Sequence, residues 1–167
     1  SNDLEVTLKS KGIPFVKYGG FKFMETSHAK DVLSFLRVVY NPKDLISLQR
    51  VLLLLDGIGL KACDLVMDYI REHLGKETIF DLTPFKKKNY FKGLHELVSL
   101  IFKQSSLLPS ELLNQILIYY KPFFHLKYDD HHKRQSDLAS LEGIAERYKD
   151  LETFMTEMSL EPPDGSQ

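Results

Sequence analysis

The chain has 167 residues, of which 43% are hydrophobic and 27% are charged, a composition typical of a globular domain that buries a core. Its formal net charge of −1 excludes global basicity as a basis for binding nucleic acid, so such binding requires a local patch. The single cysteine, Cys63, excludes an internal disulfide and a multi-cysteine metal cage. The longest apolar run, residues 51–55, is far shorter than the roughly 20 residues that span a bilayer. These features predict a cytoplasmic protein with no membrane partner.

The predicted elements begin with a helix over residues 3–11 and a strand over residues 14–18. The strand segment is short, aromatic and β-branched, and it ends at Gly19-Gly20. Because a single strand is rarely stable alone, we expect its neighbouring strands in a larger protein. The sequence predicts a mainly α fold, a multi-helix bundle with at most one or two short strands near the N-terminus.

Apolar residues at helical spacing predict three helices between residues 27 and 75. Asn41-Pro42 ends the first helix, because the residue before a proline is biased away from helix, and Asp44 can cap the second. The third follows two glycines and ends at Gly75. The expected core positions include Phe35, Leu36, Leu65 and Leu97, with Cys63 as a small buried hydrophobe.

In the second half of the chain, apolar residues at helical spacing predict further helices over residues 89–103, 109–120 and 135–148, and a last helical segment from residue 151. Lys121-Pro122 is expected to break the second of these helices, which makes residues 123–132 a polar-aromatic loop. Residues 161–167 carry no core pattern and are predicted to form a tail or linker.

Gly57-Ile58-Gly59, hereafter the glycine turn, lies between two predicted helices, as in a helix-hairpin-helix element. Glycines permit unusual backbone angles and allow a ligand to approach the backbone. A helix that begins near Gly59 or Leu60 points free N–H groups and its positive dipole end outward, which suits a DNA phosphate and reads no base sequence. Lys61 would add a charge-assisted contact while Ile58 packs inward. The alternative is a helix–helix turn that uses glycine for geometry only.

A run of lysines at residues 86–88, hereafter the lysine segment, is a second candidate for phosphate contact, with a solvated helix start as the alternative. Lys121 and Lys127 around Phe123-Phe124 form a third possible rim, although the two aromatic residues fit a core role better. The candidate DNA-binding residues are Gly57, Ile58, Gly59, Leu60, Lys61, Lys86, Lys87 and Lys88.

No catalytic or metal site is predicted. The sequence Asp129-Asp130-His131-His132 fits a solvated acidic loop, because adjacent ligands on a loop do not make a closed coordination shell. The other histidines occur singly and fit surface or packing roles, with no triad order: His28, His73, His95 and His125. Lys30-Asp31 is interpreted as a surface pair with local salt links, which contributes at most about 1 kcal/mol.

Motifs along nearly the whole chain resemble the UvrD/Rep/PcrA family of superfamily 1 DNA helicases. In the N-terminal half these motifs are Gly12-Ile13-Pro14-Phe15, Gly19-Gly20, Phe23, Lys30-Asp31, Leu36-Arg37, Asn41-Pro42 and Gly57-Ile58-Gly59. In the C-terminal half they are Asp130, Arg134, Asp137-Leu138, Leu141, Tyr148, Leu151-Glu152 and Phe154. Each motif alone is weak, but together and in this order they are specific.

The chain also departs from the family pattern. Thr26 stands where the family usually has an arginine, and His28 stands where it has a glutamate. A role carried by that arginine is therefore not transferred to this chain. The family favours a threonine shortly after the glycine turn, where this chain has Lys61-Ala62-Cys63.

The resemblance implies an accessory subdomain, 2B, with flanking parts of the motor subdomain 2A. Residues 1–42 are then the edge of 2A, residues 43–150 are the helical 2B subdomain, and residues 151–167 return toward 2A. The implied parent is an ATP-dependent 3′-to-5′ DNA helicase in which 2B touches duplex DNA, contacts the remaining subdomains and regulates unwinding. ATP and Mg²⁺ belong to the parent; no cofactor is expected in this segment, which lacks a G-x-x-x-x-G-K-[ST] phosphate loop.

Two other functions fit the same residues. The helical body could instead be a protein-interaction module that docks a regulatory partner of the helicase. It could also be an independent helix-hairpin-helix repair protein, but the strand without a partner and the 2A-like flanking motifs argue against that third interpretation.

Overall fold

The computed structural model describes residues 22–103 and 107–159, and within these ranges it contains seven α-helices and no strand. The helices are α1 Ser27–Tyr40, α2 Leu45–Leu52, α3 Leu60–His73, α4 Phe91–Phe102, α5 Pro109–Lys127, α6 His131–Ala145 and α7 Leu151–Ser159. Short 3-10 turns occupy Lys22–Glu25, Glu77–Phe80 and Thr83–Phe85. The prediction of a mainly α multi-helix bundle is confirmed. The predicted helix 3–11, strand 14–18 and tail 161–167 lie outside the described residues.

Helix α1 lies at the centre of the bundle and contacts α2, α4, α5, α6 and α7. Its side chains Val32, Phe35 and Leu36 are fully buried, as the apolar stripe predicted. Leu97 of α4 is also fully buried. The core is therefore one continuous cluster arranged around α1, which makes the described helices one packed unit.

The C-terminal end of α1 and the N-terminal end of α2 lie where the sequence signals predicted them. Helix α1 ends at Tyr40, directly before Asn41-Pro42. Asp44 caps α2, because its Oδ1 accepts a hydrogen bond from the Ser47 backbone N–H at 3.1 Å and its Oδ2 accepts one from the Ser47 hydroxyl at 2.9 Å. Helix α2 ends at Leu52, shortly before the glycine turn.

The predicted helix end at Lys121-Pro122 is wrong. Helix α5 continues through Pro122 to Lys127, so most of the predicted loop 123–132 is helical. Proline removes one N–H, the one that would bond the carbonyl of Ile118. Pro122 and Ile118 both lie on the solvent-facing side of α5, where water can satisfy that carbonyl. On the opposite side Tyr120 and Phe124 are buried, and their packing holds the helix together.

The prediction that Leu65 belongs to the core is also wrong, because its side chain is 56% exposed. The buried face of α3 is defined by Cys63, Val66 and Ile70 at helical spacing. Leu65 lies one residue from Val66 and therefore points away from that face. Burial, followed by the charge of Asp64, raises the pKa of the Cys63 thiol, which fits the predicted structural role for this residue.

Asp31 is not part of a surface pair, as the sequence suggested, but is fully buried at the junction of three segments. Arg50 of α2 donates from Nε to Asp31 Oδ1 at 2.9 Å, and Lys127 of α5 lies 3.1 Å from Oδ2. The Tyr120 hydroxyl donates to Oδ2 at 2.5 Å, and the Tyr128 hydroxyl lies 3.3 Å from it. This Asp31 cluster links α1 to α2 and α5.

His28 also has a specific packing role. It is buried, with Nε2 2.7 Å from Asp137 Oδ2 and Nδ1 3.0 Å from an Arg134 guanidinium nitrogen. Because a guanidinium only donates hydrogen bonds, Nδ1 is the acceptor and Nε2 donates to Asp137. His28 therefore joins α1 to α6 through two residues of the family-like pattern.

Candidate nucleic-acid interface

The glycine turn connects α2 to α3 and is held by backbone hydrogen bonds. The Ile58 N–H donates to the Leu55 carbonyl at 3.1 Å, and the Ile58 side chain is buried, as predicted. Gly57 has a φ of 93°, in the left-handed region that favours glycine. Gly57 is thus required by the shape of the turn.

Gly59 has a different role from Gly57. It is the N-cap of α3 with φ −98° and ψ −170°, an extended conformation that any residue adopts. A methyl group at this position would meet no atom of the described residues within 4 Å, its chain neighbours aside. Neither backbone angle nor space requires glycine here. Because glycine has no side chain, the first N–H groups of α3 have no side-chain cap and stay open to an incoming group.

The first turn of α3 is exposed to solvent at both of its predicted contact residues. Leu60 is 66% exposed and Lys61 is exposed beside it. Free N–H groups, the positive end of the helix dipole and a lysine therefore occupy the same surface. This arrangement can bind an anionic group such as a phosphate.

The structure brings the lysine segment next to the glycine turn. Lys86, Lys87 and Lys88 are exposed between the 3-10 turn Thr83–Phe85 and α4. The next residue, Asn89, lies against Gly57, with its Oδ1 2.3 Å from the position that a methyl group on Gly57 would occupy. The lysine segment thus adjoins the glycine turn through Asn89. No sequence signal predicts this contact, because Asn89 and Gly57 belong to different helix connections.

The charge of this surface is moderately positive. Lys61 and the three lysines of the lysine segment stand against two exposed acidic residues near the turn, Asp56 and Asp64. The ion pairs formed within the described residues use other side chains, so these four lysines remain available to an external anion. A patch of this kind binds phosphates with a strong dependence on salt.

The third candidate rim, formed by Lys121, Lys127 and Phe123-Phe124, contains both exposed and core-packed side chains. Phe124 is buried and Lys121 is exposed, whereas Lys127 lies against the Asp31 cluster. Phe123 is half-buried and packs on Tyr119 with ring centroids 5.3 Å apart. Phe123 and Lys127 border a groove that also reaches Gly57, so this rim lies beside the glycine turn, but the charge of Lys127 is paired with Asp31.

Residues 129–132 do not form a metal centre. Among residues 22–103 and 107–159, no three His, Cys, Asp or Glu side chains are arranged to hold a metal ion. A hydrogen bond from Arg134, at 2.7 Å, lowers the pKa of Asp130. Desolvation by burial, followed by the neighbouring His125 and His132, lowers the pKa of His131, whose ring stacks on His125 with centroids 4.1 Å apart.

None of the helices in the described ranges is long and apolar enough to cross a bilayer.

Comparison with known proteins shows that the chain is similar to part of several helicases. It is 32% identical over 160 residues to a probable DNA helicase II homolog of Mycoplasma capricolum, an alignment that covers 92% of this chain and 21% of that protein. It is 31% identical over 126 residues to the ATP-dependent DNA helicase PcrA of Staphylococcus aureus, covering 70% of this chain and 17% of that protein.

The PcrA helicase of Staphylococcus epidermidis matches at 30% identity over 125 residues, with the same coverage of 70% and 17%. The chain thus spans about a fifth of the length of these curated relatives. No solved structure matches it. The family model of the UvrD-like helicase C-terminal domain matches residues 1–158, and the chain therefore belongs to that family.

Proposed function

We propose that residues 43–150 form the 2B subdomain of an ATP-dependent 3′-to-5′ DNA helicase, and that residues 1–42 and 151–167 belong to its 2A subdomain. Membership of the UvrD-like helicase C-terminal domain family supports this proposal. The relatives support it too, since they are DNA helicases about five times as long as this chain. ATP and Mg²⁺ bind to other parts of this parent protein, which works in the cytoplasm. The segment itself supplies contacts to duplex DNA and to the remaining subdomains.

The open N-terminus of α3 is the observation that carries the DNA contact. Gly59 adds no side chain over the first N–H groups, Lys61 lies beside them, and Asn89 holds the lysine segment against the same turn. These groups recognise the phosphate backbone of a duplex and read no bases. Because α1 and α7 pack in the same core as residues 43–150, we infer that the adjoining 2A helices move together with 2B as one rigid body when unwinding is regulated.

An NMR titration of the isotope-labelled chain with a blunt DNA duplex tests this contact, because it detects weak binding. We expect the amide signals of the glycine turn and of the lysine segment to shift at low salt and to return toward their free positions as salt is added. Replacing Lys86, Lys87 and Lys88 by glutamate should flatten the salt dependence, since each lost phosphate contact lowers the slope by about 0.9.

Gly59→Asp separates DNA binding from folding. Aspartate is a better N-cap than most residues, so the variant should be at least as stable as the parent chain, yet its charge repels a phosphate. The matched control is Leu108→Asp, which places the same charge at the N-cap of α5. Duplex binding should fall in Gly59→Asp alone. Equal binding by the wild type and Gly59→Asp would show that the turn does not contact DNA.

The second candidate function, docking of a regulatory protein partner, is favoured by the exposed apolar side chains of α3. Leu60 and Leu65 are 66% and 56% exposed close to the glycine turn. Leu65→Glu and Lys61→Glu distinguish the two functions. A duplex-binding surface responds to Lys61→Glu, whereas an apolar protein interface responds to Leu65→Glu and leaves duplex binding unchanged.

A further inference from the structure

The side chain of Asn89 does not serve the helix that it precedes. An asparagine at a helix start commonly caps the first N–H groups, but the N-cap of α4 is Tyr90, and its side chain forms no capping hydrogen bond. The carboxamide of Asn89 lies on Gly57 instead, with Cγ and Nδ2 each 2.8 Å from the position that a methyl group on Gly57 would occupy. The start of α4 therefore does not explain why this residue is an asparagine.

Asn89 is exposed, and its carboxamide forms no hydrogen bond with any residue that the structure describes. Comparable side chains in other connections bond to the local backbone. Asn41 Oδ1 accepts a hydrogen bond from the Lys43 N–H at 3.1 Å. Asp81 Oδ1 accepts one from the Thr83 N–H at 3.2 Å. The N–H donors of Asn89 Nδ2, by contrast, stay open to a group from outside the fold.

We propose that Asn89 donates a hydrogen bond from Nδ2 to a phosphate of the bound duplex. Its side chain contacts the glycine turn, and its backbone directly follows the lysine segment, so the two predicted groups of phosphate contacts lie on either side of it. Asparagine is a common phosphate ligand in protein–DNA complexes, where it fixes the register without reading bases. The inference rests on the proposed function, because it adds a ligand to the same duplex interface.

The contact with Gly57 places the Asn89 carboxamide before DNA binds. Gly57 has no side chain, and the carboxamide fills the space that a side chain would take. A side chain that already packs on the fold loses less conformational entropy on binding than one that rotates freely in water. Asn89 is thus better prepared for a directional hydrogen bond than the long, flexible lysines beside it.

The salt dependence of binding distinguishes an asparagine contact from a lysine contact. A lysine that binds a phosphate releases counterions and adds about 0.9 to the slope of log K against log salt concentration, whereas a neutral carboxamide releases none. We expect Asn89→Leu to lower the association constant for a blunt duplex about tenfold at every salt concentration, the effect of one hydrogen bond to a charged group, and to leave the slope unchanged. Lys87→Met should lower the slope by about 0.9.

Asn89→Leu and Asn89→Ala separate a hydrogen bond to phosphate from a packing role. Leucine branches at Cγ as asparagine does, so Asn89→Leu keeps the contact with Gly57 and removes only the polar atoms, whereas Asn89→Ala removes both. We expect the two variants to lose the same affinity. Asn114→Leu is the matched control, because Asn114 is an exposed asparagine of α5, and it should bind the duplex as the wild type does.

NMR titration of the labelled chain with the blunt duplex at several salt concentrations gives these association constants. A loss of affinity in Asn89→Ala but not in Asn89→Leu, or a lower salt slope in Asn89→Leu, overturns the hydrogen bond and makes Asn89 a residue that only positions the lysines. Equal binding by the wild type and Asn89→Leu also overturns it, and the duplex contact then stands if Lys87→Met lowers the slope. If the wild type binds no duplex, the hydrogen bond and the proposed duplex contact are both wrong.

Discussion

The side chain of Asn89 packs against the α-carbon of Gly57, so closely that a methyl group on Gly57 would lie 2.3 Å from Asn89 Oδ1. This contact joins the lysine segment to the glycine turn. The same position has a φ of 93°, which side chains rarely adopt. The backbone conformation therefore favours glycine at this position, and a side chain there would also have to displace Asn89.

We expect Gly57→Ala to lower the free energy of unfolding by about 2 kcal/mol or more, because the left-handed conformation alone costs roughly 1–2 kcal/mol and the clash adds to it. Gly59→Ala is the control: its backbone is extended and its surroundings are open, so we expect a change below about 1 kcal/mol. Urea denaturation followed by circular dichroism measures both.

Combining Gly57→Ala with Asn89→Ala separates the cost of the clash from the cost of the backbone conformation. The double variant should recover the part that comes from the clash and retain the part that comes from the backbone. If Gly57→Ala is as stable as the wild type, the contact between the two segments is not tight and the combined basic surface is not supported.

Asp31→Ala should be among the most destabilising substitutions in the chain. It leaves Arg50, Lys127 and Tyr120 without their common partner, and breaking a buried ion pair in this way costs about 3–5 kcal/mol. Asp64→Ala is the control, since Asp64 is an exposed carboxylate of α3 and exposed sites change stability by about 0.5 kcal/mol or less. Similar unfolding midpoints for the two variants would contradict the structural role of Asp31.

Asp31 also shows where sequence analysis reached its limit. Lys30-Asp31 has the pattern of a surface pair, and the true partners of Asp31 lie on α2 and α5, far away along the chain. Periodicity reports which face of a helix is apolar, and a buried carboxylate on that face is an exception that periodicity cannot identify. The same limit applies to Asn89, whose contact with Gly57 depends on the packing of α4 against the turn.

Local sequence signals predicted which helices form more reliably than where each helix ends. Asp44 and Asn41-Pro42 set the ends of α1 and α2 because capping and the proline restriction act within a few residues. Pro122 failed as a helix end, because burial of Tyr120 and Phe124 outweighs the loss of one hydrogen bond. Tertiary packing therefore decided the one boundary where it opposed the local preference.

Two tyrosine-to-phenylalanine substitutions should have opposite effects. The Tyr120 hydroxyl donates to the buried carboxylate of Asp31, so Tyr120→Phe should lower the free energy of unfolding by about 1.5–3 kcal/mol, the usual contribution of a hydrogen bond to a charged group. The Tyr148 hydroxyl is buried with no hydrogen-bond partner among residues 22–103 and 107–159, and burial raises its pKa to about 12. Tyr148→Phe should raise the free energy of unfolding by about 1 kcal/mol.

Each variant serves as the control for the other, since both remove one oxygen from a ring of the same size. Denaturation in urea gives both values. Destabilisation by Tyr148→Phe would mean that its hydroxyl has a partner in solution, and a neutral Tyr120→Phe would mean that Asp31 is fully stabilised by Arg50 and Lys127.

Asp150, which precedes α7, makes the stability of the chain depend on pH. Hydrogen bonds from the Thr153 backbone N–H, at 2.7 Å, and from the Thr153 hydroxyl, at 3.0 Å, lower the pKa of this carboxyl group. A pKa that is lower in the folded than in the unfolded state stabilises the fold fully above the unfolded value, about 3.9, and this stabilisation is lost as the pH falls through the folded value. Asp150→Asn should therefore be less stable than the wild type at neutral pH, and the difference should shrink below about pH 4.

Thr153→Val tests the cause of the shift, because it removes the hydroxyl donor and keeps the backbone donor. An NMR titration of the Asp150 carboxyl carbon should give a pKa in this variant that is higher than in the wild type but still below the ordinary value, since the backbone hydrogen bond has the larger effect. An unchanged pKa would show that the backbone N–H alone holds the carboxylate, and a pKa at the ordinary value would show that the Thr153 hydroxyl orders the whole start of α7.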